Sequence, residues 1–159
     1  MSSLLPLRTA LVAALLLAAL GLRGRSLSAQ PDKCSFVKAA DVAVLLGGTL
    51  APTPPGGTCG WKSADSKRKL LVLTYSKQLP GEMAFAGARK NLGGDKDTKV
   101  LDEAGLGDKA FSVTASFGAS FIMLKGGRML QLQFWTGAKG TEKDRDALRV
   151  LARKAIAAF

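Results

Sequence analysis

The two cysteines, Cys34 and Cys59, constrain what this chain can fold into more than any other feature. If they close, the segments around them become one place in the fold, and a loop of about 25 residues is tied off. In the chain-entropy model such a loop constrains the unfolded state by roughly 3 kcal/mol. That is a large share of a small domain's stability. Whether they close depends on the compartment, and the N-terminus bears on that. Arg8 gives a positive start, Ala10 to Leu22 is an uncharged apolar run of thirteen residues, and Arg23 and Arg25 interrupt it. A bilayer span needs about twenty such residues. Ser26-Leu27-Ser28 offers small residues at the positions a signal peptidase reads. Residues 1–28 therefore read as a secretory signal cleaved after Ser28 or Ala29, with an uncleaved anchor as the alternative. Export to the periplasm or the cell exterior is the expectation, and there an even pair of cysteines closes. A redox-active thiol is not expected, because the chain has no C-x-x-C and no histidine. Nor is lipidation of Cys34, since eleven residues ending in Pro31-Asp32-Lys33 separate it from the apolar run.

The absence of histidine also removes Ser-His and Cys-His catalysis and every histidine-dependent metal site. The 159 residues carry 23 basic and 12 acidic side chains, a formal net charge of +11. Loss of residues 1–28 would take three arginines and no acid and leave +8. A basic exported domain meets anionic surfaces before anything else. Residues 29–159 suit one domain, with no transmembrane segment after cleavage.

Along the mature chain, Phe36, Ala39, Ala40, Ala43 and Leu46 recur at helical spacing before Gly47-Gly48, which predicts a helix of about ten residues with a glycine stop. Leu50 to Gly57, with three prolines, reads as a loop. Thr58 to Ser63 and Lys69 to Ser76 alternate and form a hairpin, which the cysteine bridge would tie to the first helix. A second helix is expected from Pro80 to about Leu92, with Phe85, Ala88 and Leu92 on one face. Lys99 to Leu101, Lys109 to Thr114, Ser120 to Lys125 and Arg128 to Trp135 read as strands, the last two joined by Gly126-Gly127. On the last strand Leu130, Leu132 and Phe134 face one way and Gln131, Gln133 and Trp135 the other, as in a sheet covered on one side. A third helix opens at Thr141 and packs through Leu148, Leu151, Ala152, Ala155 and Phe159. The class is α+β, a mostly antiparallel sheet with three helices in the order α-β-β-α-β-β-β-β-α.

Several of these features occur together. Cys34 precedes a helix ending at Leu46-Gly47, a Pro/Gly loop follows from Thr53 to Gly57, and Cys59-Gly60-Trp61 opens a strand. Gly105-Leu106-Gly107-Asp108-Lys109-Ala110 makes a turn, and an amphipathic helix ends the chain. This pattern, over most of 34–159, resembles small exported bacterial envelope proteins and lipoproteins of uncharacterised function. The resemblance implies a fold and a location and no activity. The present chain departs from the lipoproteins among them in lacking a lipidation site.

Each chemical candidate has a plainer reading beside it. Gly105-Leu106-Gly107-Asp108 lacks the remaining glycine of a dinucleotide fingerprint and the Gly-Lys-Ser/Thr of a P-loop, so it reads as a tight turn. Asp95, Asp97, Asp102, Glu103 and Asp108 are interleaved with lysines and read as a solvated loop rather than a calcium site. Ser112, Ser116 and Ser120 have no base in any recognisable motif, and none of the three opens an S-x-x-K. Trp61, Tyr75, Phe117 and Trp135 read as core rather than groove. Lys67, Arg68 and Lys69, with Arg145, Arg149 and Arg153 four apart on the last helix, are the candidate polyanion patch. The competing view has these arginines solvated, with their stems over the core. No catalytic residue, metal or cofactor is expected. The functional expectation is a non-catalytic exported domain that binds a protein or small-molecule ligand. The alternatives are a basic protein associated with a polyanion or an anionic membrane surface, and an enzyme with an unrecognised site. Nucleic acid is not an expected partner, because no aromatics alternate with the basic residues.

Overall fold

Gly126 and Gly127 make the expected hairpin turn, with φ of 56° and 71°, the left-handed conformation that a two-residue hairpin loop demands at both positions. In the computed structural model, which describes residues 33–48, 59–75 and 81–159, this turn joins β5 (Gly118–Lys125) to β6 (Arg128–Trp135). The signal segment, the loop from Leu50 to Gly57 and Pro80 lie outside the described residues. Contact density divides the chain into Met1–Gln30 and Pro31–Phe159, and the described residues belong to the second unit.

β4 (Lys109–Ala115) pairs with β5, and β3 (Lys99–Asp102) with β4. On the other side β2 (Lys69–Tyr75) pairs with β6, and β1 (Cys59–Lys62) with β2. The result is a six-stranded antiparallel sheet in the order β1-β2-β6-β5-β4-β3. With the helices α1 (Ala39–Leu46), α2 (Gly81–Leu92) and α3 (Glu142–Ala158) the protein is α+β. The first helix begins later than its periodicity suggested. Lys33–Phe36 is a 3₁₀ turn, and Lys38 has extended backbone before α1 starts. That interruption buries Phe36 and Val37 and leaves Cys34 bridged to Cys59, with Cα atoms 5.3 Å apart. α1 stops at Gly47 as expected, where φ is 78°.

β5 is buried at seven of its eight positions, so it is covered on both faces. On one face Phe121, Met123, Leu130, Leu132, Leu70 and Trp61 pack under α1 and α3. On the other, Phe111, Val113, Ile122, Leu124 and Met129 pack under Phe85 of α2. This corrects the expectation of a sheet covered on one side: Ile122 and Leu124 give the second face apolar residues of its own, and α2 covers them. Gly81 opens α2 directly against the hairpin, its N–H donating to the Gly127 carbonyl at 3.1 Å. A Cβ at Gly81 would collide with that carbonyl. At its other end Arg89 pairs with Asp102, and this bond holds the Asp102 carboxyl below the usual range.

The Gly105-Leu106-Gly107-Asp108 turn is structural. Leu106 is buried in the core, the Asp108 N–H donates to the Leu124 carbonyl at 2.7 Å, and the Asp108 carboxylate accepts from the Gly126 N–H at 2.7 Å. It therefore clamps the neighbouring hairpin. α3 opens with a capping box between Thr141 and Asp144 and buries Leu148, Leu151, Ala152, Ala155 and Ile156. At its end Lys125 donates to the Ile156 carbonyl at 2.8 Å, and Arg128 lies 4.1 Å from the Phe159 ring centroid. Among the described residues no helix is long and apolar enough to cross a membrane.

Arg149 fastens α3 to the connection after β3. It donates to the Glu103 carboxylate at 2.8 Å, and the Ser112 hydroxyl donates to the same carboxylate at 2.6 Å. The Glu103 side chain is only 6% exposed. Hydrogen bonding to it raises the Arg149 pKa above its ordinary value. The picture of Arg149 as a solvated charge is thereby corrected. Arg149→Ala should cost about 1–3 kcal/mol, because it strips a nearly buried carboxylate of a charged partner. Arg153→Ala, at an exposed position, should cost under about 0.5 kcal/mol. Urea denaturation of the two variants checks this, and equal midpoints would contradict it.

Candidate functional site

The two halves of the predicted basic patch stand on different parts of the fold. Arg145 pairs with Asp146 at 3.2 Å, its side chain 13% exposed, and Arg149 is held by Glu103. Only Arg153 of the three is exposed without an ion pair among the described residues. Four-residue spacing does place them on one side of α3, but that side faces the β3–β4 connection. Lys67 and Arg68 are exposed in the turn between β1 and β2. Lys69 is on the opposite face of the sheet from α3, with its ammonium 4.3 Å from the centroid of the Trp135 ring.

The acidic cluster is dispersed in the same way. Asp102 is engaged by Arg89, Glu103 by Arg149, Asp97 by Lys139 and Asp108 by a backbone amide. Among the described residues no group of three metal-ligating side chains is gathered.

The aromatics separate by face. Trp61 is in the core on the face that α1 and α3 cover. Trp135 lies on the α2 face at the end of the sheet away from the Gly126-Gly127 turn, its ring 4.9 Å from that of Phe117. α2 is fixed at Gly127, in the turn, and through Arg89 to Asp102, which stands level with Ile122 in mid-sheet, and it leaves Lys69, Gln133 and Trp135 to other residues. Register defines what stands there. Lys69 is opposite Trp135, Leu71 opposite Gln133, and Leu73 opposite Gln131. On the other side of β6, Ser120 is opposite Gln133. The strip therefore reads Lys69, Leu71 and Leu73 on β2, Gln131, Gln133 and Trp135 on β6, and Ser120 on β5.

This strip holds polar atoms without partners. Ser120 is 0% exposed, and its hydroxyl has no hydrogen-bond partner among the described residues. The indole N–H of Trp135 is likewise buried and without a partner among the described residues, as is that of Trp61 on the other face. A buried donor left unmade costs about 1–3 kcal/mol, and native proteins tolerate few such groups without a reason. Gln131, also buried, adds an amide to the same face. Two buried unpaired donors, an amide pair, an aromatic pair and one ammonium gather on this face, the donors beneath its surface, so a ligand that accepts hydrogen bonds there must displace the side chains over Ser120.

The alternation of Gln131, Gln133 and Trp135 was visible in the sequence as a mixed face. Ser120 was weighed there only as a nucleophile. Nothing in the sequence showed that it shares a face with Trp135, because that follows from the β5–β6 register. No family model, curated protein or solved structure matches the chain.

Ser120→Ala removes a buried hydroxyl that has no partner, so it should leave stability unchanged or raise it, by up to about 1 kcal/mol. Thermal and urea unfolding check this. A loss of that size or more would show that the hydroxyl is bonded and structural.

Proposed function

We propose that this protein is a non-catalytic, exported binding domain that holds a small amphiphilic ligand over the strip formed by Lys69, Leu71, Gln133, Trp135 and Ser120. The observation that carries the reading is the pair of buried, unpartnered donors, Ser120 Oγ and Trp135 Nε1, on one sheet face. A carboxylate or carbonyl group accepts from both kinds of donor, and the Lys69 ammonium beside Trp135 favours the charged form. Leu71 and Leu73, half-buried on the same face, offer contact for an apolar body.

Export is supported by the Cys34–Cys59 bridge, because such bonds persist in oxidising compartments. The non-catalytic reading is supported by the neighbours of Ser120. Its cross-strand partners are Val113 and Gln133, neither of which can act as a base. An anionic envelope surface remains a partner through net charge, without the six-residue patch as its site.

The test is thermal unfolding of the exported protein with aromatic and aliphatic monocarboxylates. Ligand at about 100 times its Kd stabilises the native state by about 2.7 kcal/mol. A saturable rise in Tm is expected for members with an apolar body, lost in Trp135→Phe and reduced in Ser120→Ala. No rise with any member, or a rise that survives both substitutions, contradicts the proposal.

A further inference from the structure

On the opposite side of the molecule α1 and α3 lie side by side and leave a groove of about 210 Å³ between them. Buried Leu45 and Leu151 make its floor, and Val44, Ala147 and Val150 its walls. Val44 is 88% exposed and Val150 59%, among the most exposed large apolar side chains described. Ala39 and Ala40 on α1 are also exposed, so the outward face of that helix carries almost no polar group. Lys154 of α3 pairs with Asp41 of α1 across the groove.

The charges around these walls are unbalanced. Asp41 is taken by Lys154, and Asp146 by Arg145 and Arg149. Lys38, just before α1, and Lys143 and Arg153 on α3 are exposed and make no ion pair among the described residues. Helical spacing puts Lys143, Ala147, Val150 and Lys154 along one side of α3, while Arg153 is one turn beyond Val150. Among the described residues the rim therefore offers free cations and no free anion.

From this we infer that the groove takes one amphipathic helix of another protein, apolar along one side and acidic along its flanks. A helix fits a trough between two helices and reaches the floor with side chains at i, i+3, i+4 and i+7. A second copy of this chain brings the same positive rim and a net charge of the same sign, and is repelled. A flat bilayer meets Val44 and Val150 but not Leu45 and Leu151, and the walls have no aromatic side chain to enter an interface.

The experiment places a photoreactive residue at Val44 or at Val150 of the full protein in its native host. Adducts are identified by mass spectrometry, with a probe at exposed Met83 on α2 as control. The expected adduct, from both groove positions and not from Met83, is one segment of one other protein with apolar residues at helical spacing and acids between them. Val44→Asp should cut the yield at Val150 roughly tenfold, and Lys143→Glu should lower it, with Tm unchanged in both because each side chain is exposed. A tenfold loss corresponds to about 1.4 kcal/mol. Lipid adducts, adducts to a second copy, scattered peptides, no adduct, or yields indifferent to both substitutions overturn the inference. The ligand strip lies on the other face of the sheet, so Trp135→Phe separates the two proposals by leaving these adducts intact.

Discussion

The pairing of β5 with β6 is what the rest of the molecule is arranged around. Both strands are central, and each has apolar residues on two faces, so neither can exist without cover on both. The β5–β6 turn also receives the other elements. Gly81 starts α2 against Gly127, Asp108 holds the Gly126 amide, and Lys125 and Arg128 reach the end of α3. A defect in this hairpin would therefore loosen both helical layers at once. The Cys34–Cys59 bridge acts at the opposite edge, where β1 makes few contacts beyond β2 and the 3₁₀ turn needs an anchor.

Function follows from how far α2 reaches. Twelve residues make a helix of about 18 Å. Fixed at Gly127 and Asp102, it covers the turn end of its sheet face and the side toward β3. What it leaves at the far end of β2, β6 and β5 is mixed, with Leu71 and Leu73 beside polar side chains. The sequence supplies glutamines, a serine and a tryptophan at positions where leucines would have made a better core. Buried donors without partners work against stability, and a fold that carries them there has stability to regain by binding.

Local signals carried most of the fold. The glycine pair, the Thr141 N-cap, the Gly47 stop and the alternation of β6 each act within a few residues, so periodicity and turn chemistry were enough to place the six strands and three helices. The 3₁₀ turn at Lys33–Phe36 was not legible, because Phe36 shares its helical spacing with Ala39 and Ala43 and only tertiary packing draws it away. The coverage of the second face was also missed, since Ile122 and Leu124 look alike in a strand buried on one face or two. The engagement of Arg145 and Arg149 by acids was missed for a related reason. Spacing puts Arg145, Arg149 and Arg153 on one side of a helix but says nothing of the Glu103 that meets it forty-six residues away in sequence. The strip with Ser120 and Trp135 depends on register between strands, which no local pattern states.

Native-state hydrogen exchange tests this account most directly, read at every backbone amide and at the indole N–H of the two tryptophans. If β5 and β6 are the shared centre, the amides of Phe121 to Leu124 and Leu130 to Leu132 exchange only with global unfolding, and those of β1 and β3 exchange sooner. The Trp135 indole, on the part of the sheet that α2 does not reach, should exchange before that of Trp61, which lies in the main core. Amides of β3 outlasting those of β5 would contradict the two-faced core, and a Trp135 indole as protected as that of Trp61 would contradict the limited reach of α2.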